Sequence, residues 1–194
     1  AGGGGGGAGM GGNIFVLKQA NLIIQDNQVL LQNGVALGGN AGTNASPGQS
    51  YGQDLFIRSG GTVTFNHSGS LTMTIDIESD QDITAGGGLV MNGSGVLVLG
   101  GTNTYTSTTT INSGTISVGQ NVNLGDSRNS VVMQNGILQI TSSFSSDRLF
   151  SLLADAHIDT QANDLTLTGV ISGSGSLTKD GAGELILKGV NTYS

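Results

Sequence analysis

Ser127 lies in Gly125-Asp126-Ser127, a run of the kind found around the nucleophilic serines of lipases and proteases. Such a serine needs a histidine base that is itself oriented by an acid. The chain has two histidines, His67 and His157, and Asp155 and Asp159 flank the second, so a triad is arithmetically available. The surrounding pattern argues against it. No Gly-x-Ser-x-Gly elbow is present, and no strand-to-helix turn would expose a nucleophile. The run reads as a turn between strands, and no residue is assigned a catalytic role.

Asp76, Glu78, Asp80 and Asp82 form the densest acidic stretch. Carboxylates at alternate positions share one strand face, and oxygen-rich sites bind calcium. The glycine and terminal glutamate of an EF-hand are missing, as is the Gly-Gly-x-Gly-x-Asp nonapeptide, so the stretch reads as a solvated outer face. Polysaccharide-cleaving enzymes pair calcium with a basic residue, and Arg58 is the nearest in sequence, but aromatic residues that could stack on sugars are scarce. His67 and His157 are isolated, which disfavours a histidine metal site. No metal, cofactor-binding or catalytic residue is expected.

The elements that would have to position any site are short strands. Candidates include 14–17, 22–24, 55–57, 62–65, 71–77, 96–99, 115–118, 131–133, 137–140, 165–168 and 184–187. In 71–77 apolar residues alternate with polar ones, which buries one face and wets the other. Helix signals are nearly absent, and 148–153 is the one place where a helical turn is allowed. The composition agrees. Among 194 residues there are 35 glycines, one proline and no cysteine, with only 10% charged and 4% aromatic side chains. Recurrent Val, Ile and Leu clusters argue against disorder. The net charge of −7, with six scattered basic residues, excludes a phosphate-neutralising patch and so a nucleic-acid partner. The absence of cysteine excludes a disulfide framework.

Turn residues recur at a nearly constant interval. Asn92, Asn112 and Asn135 follow one another at steps of roughly 20–23 residues, a spacing in the range of solenoid repeats. Asp180 lies close to two further steps beyond Asn135, and His157, one step beyond it, is expected in a turn. Asn33-Gly34, Asn92-Gly93 and Asn135-Gly136 would also suit hairpins, so an antiparallel sandwich is the rival fold. A longer repeat weighs against the sandwich. Residues 89–106 read LVMNGSGVLVLGGTNTYT and residues 177–194 read LTKDGAGELILKGVNTYS, with nine of 18 positions identical at an offset of 177 − 89 = 88. Taken as four coils of about 22 residues each, that offset predicts an all-β parallel solenoid. It also predicts that Leu97, Leu99, Leu185 and Leu187 sit on equivalent strands of one core. Tyr105 and Tyr193 recur at matching places, which favours packing over ligand stacking.

These residues resemble the passenger-associated transport repeat of bacterial autotransporters. The resemblance runs through Gly93–Leu99, Asn103–Thr106 and Thr108–Val118. It continues through Leu124–Ser127, Gln134–Leu138 and Gly169–Leu177, and covers residues 87–194 in all. It implies a right-handed parallel β-helix (solenoid), in which the coil length is the interval of about 22 residues found above. It places Leu124-Gly125-Asp126-Ser127 in an ordinary inter-strand loop. It further implies export to the bacterial cell surface, with outer-membrane anchoring by a C-terminal translocator β-barrel of the same full-length protein. Residues 1–86 match less closely, although Gly11-Gly12-Asn13-Ile14-Phe15-Val16 is similar to the opening of Gly/Asn-rich repeats in bacterial surface proteins.

The expected organisation is therefore a Gly/Asn-rich solenoid segment over 1–86, with an extruded loop near 38–52, followed by the repeat region over 87–194. About nine coils would make a rod on the order of 40 Å long. Ala1 opens directly onto Gly2–Gly7, and Asn191-Thr192-Tyr193-Ser194 stops inside a second repeat, so the sequence reads as a piece of something longer. The expected role is a non-enzymatic structural stem. Its partners would be a host or bacterial surface ligand, or another copy through end-to-end self-association. The rival class is a secreted β-helix enzyme acting on polysaccharides or esters.

Overall fold

The computed structural model describes residues 9–10, 14–25, 37, 50–51, 55–80 and 86–194. The Gly2–Gly7 run, Asn33-Gly34, Asp82 and most of the 38–52 segment lie outside the described residues. Every strand pairing among the described residues is parallel. The chain winds as a β-helix with three faces, two of them stacked continuously.

The first face stacks Asn21–Gln25, Thr62–Asn66, Gly88–Met91, Thr109–Ile111, Val131–Met133, Phe150–Leu152 and Ile171–Gly173 in that order. The second stacks Ser70–Met73, Val96–Leu99, Thr115–Val118, Ile137–Ile140, Ala156–Asp159 and Leu177–Asp180. The third is interrupted. Ile14–Val16, Leu55–Ile57 and Ile77–Ser79 form its upper sheet, and Phe144–Ser146, Leu165–Leu167 and Leu185–Leu187 its lower one. Between them lie an irregular segment at 103–105 and a 3-10 helix at Asn121–Leu124. Adjacent strands in a sheet are about 4.8 Å apart, so the seven levels of the first face span roughly 30 Å.

Alternation along each strand builds the core. Leu71, Leu97, Ile116, Leu138 and Ile158 are in register on the second face, and all are buried. Phe65, Met91, Ile111, Met133 and Leu152 form a matching buried row on the first. Each such side chain contributes about 1.5–3 kcal/mol through burial. The intervening residues face outward, which is why β-branched and polar types alternate with Leu, Ile and Met in the sequence.

The stretch 71–77 is not one strand. Its inward-outward alternation continues unbroken, but the backbone bends at 74–76, and Ile75 is buried in the corner between Met73 and Ile77. Asn92-Gly93 and Asn135-Gly136 are likewise corners between the first and second faces, not hairpins. Two other expectations fail. His157 is a strand residue, paired in register with Ile137 and Thr178, because coil lengths vary and the turn expected there comes earlier. The segment 148–153 holds the strand Phe150–Leu152 rather than a helical turn, since stacking on Val131–Met133 satisfies its backbone.

The long repeat also needs correction. On the second face Ser70 pairs with Val96, Val96 with Thr115, Thr115 with Ile137, Ile137 with His157, and Ala156 with Leu177. The longest of these steps is Ser70 to Val96 and the shortest Val96 to Thr115, so coil length scatters around the expected value without repeating it. Four levels below Leu89 lies Ile171, not Leu177. The second copy of the motif therefore sits one face further round the coil. Leu97 and Leu99 belong to the second face, whereas Leu185 and Leu187 belong to the third, although all four point toward the same interior.

What the motif preserves is a corner followed by a strand. A Cβ on Gly95 would overlap the carbonyl oxygen of Gly69 in the coil above, and one on Gly183 would overlap that of Asn163. The two glycines are equivalent in the repeat and occupy different corners for the same steric reason. The motif's asparagines behave alike: Asn103 Oδ1 accepts from the Ile77 amide at 2.9 Å, and Asn191 Oδ1 from the Ile171 amide at 2.9 Å. Each satisfies a strand-opening N–H of the preceding coil.

Candidate functional site

The most ordered departure from regular coiling is the loop around Ser127. It begins with the 3-10 helix Asn121–Leu124, where Asn123 is buried and its Oδ1 accepts from the Gly119 and Gln120 amides. The loop is held from beneath by Arg148, which is 1% exposed. Its Nε donates to Asn121 Oδ1 at 2.8 Å, and its Nη2 donates to the carbonyls of Asn121 at 2.9 Å and Gly125 at 2.6 Å. Its Nη1 donates to the carbonyls of Asp126 and Asn129. Burial pushes the guanidinium below its usual value, opposed by the Tyr105, Asp126 and Asp147 side chains nearby. An arginine stays charged in proteins, so this is a buried cation solvated by neutral acceptors.

Tyr105 completes the support. It is buried, its hydroxyl lies 2.7 Å from Thr109 Oγ1, and burial raises its ionisation well above the usual range. Its backbone carbonyl accepts from Asn129 Nδ2 at 2.6 Å and from the Asp126 amide at 3.0 Å. At the loop's surface, Arg128 donates to both carboxylate oxygens of Asp126, at 2.7 and 3.0 Å. That pairing is the main reason the Asp126 carboxyl lies below its usual range.

Ser127 is exposed, and among the described residues it shares no hydrogen bond with either histidine. His67 is buried, with Nδ1 3.1 Å from the Gly69 carbonyl oxygen and Nε2 without a partner. His157 Nδ1 lies 2.8 Å from Asp180 Oδ2 on the outer side of the second face. Asp155 accepts from Ser176, and Asp159 accepts from Gln139 and Gln161. The histidines and acids are thus engaged in separate contacts, and Ser127 stands exposed apart from them. The structure does not assemble them.

The acidic stretch is divided as well. Asp76 accepts from the Thr102 amide at 2.7 Å in the next coil. Asp80 accepts from Arg58 Nε at 2.8 Å, from the Ser59 amide at 2.9 Å and from the Ser59 hydroxyl at 2.8 Å. Burial alone would raise the Asp80 carboxyl, but these donors outweigh it and hold it below the usual range. Arg58 and Asp80 therefore latch one corner to the next. Among the described residues no group of three or more His, Cys, Asp or Glu side chains is arranged to hold a metal ion.

Arg148 does not stand out by composition, where it is one of six scattered basic residues. The signal was present in the parity: Ser146, Arg148, Phe150 and Leu152 occupy alternate positions, and all four are buried. A charge in phase with core residues marks an inward-facing group that needs acceptors.

A parallel stack with asparagine-capped corners has a counterpart among known sequences. The model of the passenger-associated-transport-repeat matches residues 89–118 and 177–194. A curated relative, the adhesin BmaC autotransporter of Brucella suis biovar 1 (strain 1330), is 37% identical over 111 residues. That alignment covers 57% of this chain and 3% of the relative. Over these residues the chain is similar to an autotransporter passenger.

The matches support exposure at the bacterial cell surface with anchoring in the outer membrane. The two matched regions begin at Leu89 on the first face and Leu177 on the second, so the family motif recurs at two places around the coil. No solved structure matches the chain.

Proposed function

We propose that this passenger segment is a non-enzymatic stem that supports adhesion at the cell surface. The observation that carries the reading is the parallel stacking of the first and second faces, without a break among the described strands, over a continuous apolar core, which gives a stiff rod whose outer faces are free to vary. Length grows by one strand spacing per coil, so recognition surfaces can be carried outward without a change of fold. The relative named an adhesin supports the same reading. In the full-length protein the partner would be a C-terminal translocator barrel, and the ligand a host or bacterial surface. Residues 1–86 and 87–194 would serve as successive parts of one rod, with the loop near 38–52 as an added contact region.

The separation of Ser127 from His67 and His157 favours this reading over a hydrolytic one. The test is to display residues 1–194 on a non-adherent bacterium through a passenger translocator barrel. Binding to host cells or to other bacteria should exceed that of the barrel alone. Equal binding would refute adhesion, and ester or glycan hydrolysis by the purified segment, lost in Ser127→Ala, would refute a non-enzymatic stem.

A further inference from the structure

Two Asn-Gly pairs among the described residues lie at corners between the first and second faces, Asn92-Gly93 and Asn135-Gly136. They are alike in chemistry and differ in surroundings. At the upper corner the Gly93 amide donates to the Phe65 carbonyl at 3.1 Å, and Asn92 Oδ1 accepts from Asn112 Nδ2 at 3.2 Å. Both halves of that pair are engaged. At the lower corner Asn135 is exposed. Among the described residues its carboxamide shares no hydrogen bond, and the Gly136 amide has no acceptor. The main chain on either side is held. The Asn135 amide donates to the Asn112 carbonyl at 3.2 Å, and the Ile137 amide donates to the Gly114 carbonyl at 2.8 Å.

Glycine at 136 is a packing requirement, since a Cβ there would overlap Ile111 Cγ2. The same missing side chain leaves nothing to obstruct the Gly136 nitrogen as it approaches the side chain before it. The stack thus sets an unhindered, unpartnered backbone nitrogen beside an exposed carboxamide. Asparagine is a thermolabile side chain. A nucleophile one peptide unit away also acts at high effective concentration.

We propose that Asn135-Gly136 is a site of spontaneous covalent modification in the folded chain. The Gly136 nitrogen bonds to Asn135 Cγ, the Cγ–Nδ2 bond breaks, and ammonia leaves with the proton that the backbone nitrogen gives up. Water then opens the five-membered succinimide. Addition at Cγ gives aspartate, and addition at the backbone carbonyl carbon gives isoaspartate. Only water is consumed, and no oxidant or cofactor takes part. Either product places a negative charge on a neutral corner. Isoaspartate also inserts a methylene into the main chain between the contacts to Asn112 and Gly114, so both cannot be kept in register. The inference does not depend on adhesion.

Peptide mapping by mass spectrometry of residues 1–194, incubated folded at mildly alkaline pH, tests it. Isoaspartate is read by enzymatic methylation of the same peptides. Asn33-Gly34 lies outside the described residues, so each pair is followed in its own peptide. The Asn135 peptide should gain the mass of an amide-to-acid exchange and accept methyl groups, at least tenfold faster than the Asn92 peptide. In urea the two should react at similar rates, because structure alone separates them. Asn135→Gln should abolish the signal at that corner with parental circular dichroism, since closure to a six-membered ring is slow. The aged chain should unfold at lower urea than Asn135→Asp, which carries the charge without the added methylene. An Asn135 that stays intact in the folded chain would overturn the proposal, as would an Asn92 that reacts as fast. A tenfold difference that persists in urea would trace the selectivity to local sequence and overturn its structural basis. Aged chain as stable as Asn135→Asp would overturn the disturbed register.

Discussion

Arg148 shows how a charged residue becomes part of a core. Five hydrogen bonds to neutral oxygens replace its hydration, and four of those oxygens belong to the backbone of the 121–129 loop. Removing the guanidinium strands those carbonyls, and a buried unsatisfied group costs about 1–3 kcal/mol. Arg148→Met should therefore destabilise the chain by about 3 kcal/mol in urea unfolding, with amide exchange accelerated first at 121–129. Arg148→Lys should recover only part of the loss, because an ammonium cannot serve the same planar fork. Equal stability of parent and Arg148→Met would show that the loop does not depend on the arginine. Asp80 gives a pH-dependent counterpart. Its carboxyl is held below the unfolded value, so the ionised form is favoured by folding and stabilises the chain above the unfolded range of about 4. That contribution is lost as pH falls through the folded value. Asp80→Asn should thus be less stable than the parent at pH 7, and the gap should close below about pH 4. A gap independent of pH would mean that the Arg58 and Ser59 contacts do not distinguish the ionised form.

At the scale of elements, the strands were legible because alternation of apolar and polar residues has a period of two and survives any variation in coil length. Corners were less legible. Asn92-Gly93 suits a hairpin turn as well as a solenoid corner, and only the neighbour above decides between them. The glycines of the motif are where that neighbour acts. Gly95→Ala and Gly183→Ala should each destabilise by about 1–3 kcal/mol in urea unfolding, the range for forcing extra atoms into a packed region. A neutral effect at both would show that adjacent coils can separate there without cost. A fixed period misplaces His157 for a related reason. Coils differ in length by several residues, and an error of that size exchanges a corner for a strand. The 3-10 helix at Asn121–Leu124 had no signal in periodicity at all, since asparagine side chains hold it rather than an apolar stripe.

For the molecule as a whole, the parallel solenoid was readable from spacing, repetition and the low content of charge and aromatics. The placement of the long repeat was not. Its offset looks like a whole number of coils, yet the stacked strands place Leu177 one face beyond the level of Ile171. The motif encodes a corner and a strand, and any corner of the coil can carry it. The central claim is parallel stacking with the motif displaced by one face, and methyl and amide cross-relaxation in solution NMR tests it directly. Leu97 should show contacts to Leu71 and Ile116, and Leu185 should show contacts to Leu165, its partner on the third face. Contacts between the amides of Val90 and Gly95, as a hairpin at Asn92-Gly93 requires, or strand-pairing contacts between the backbone amides of Leu185 and Ile158, would contradict it.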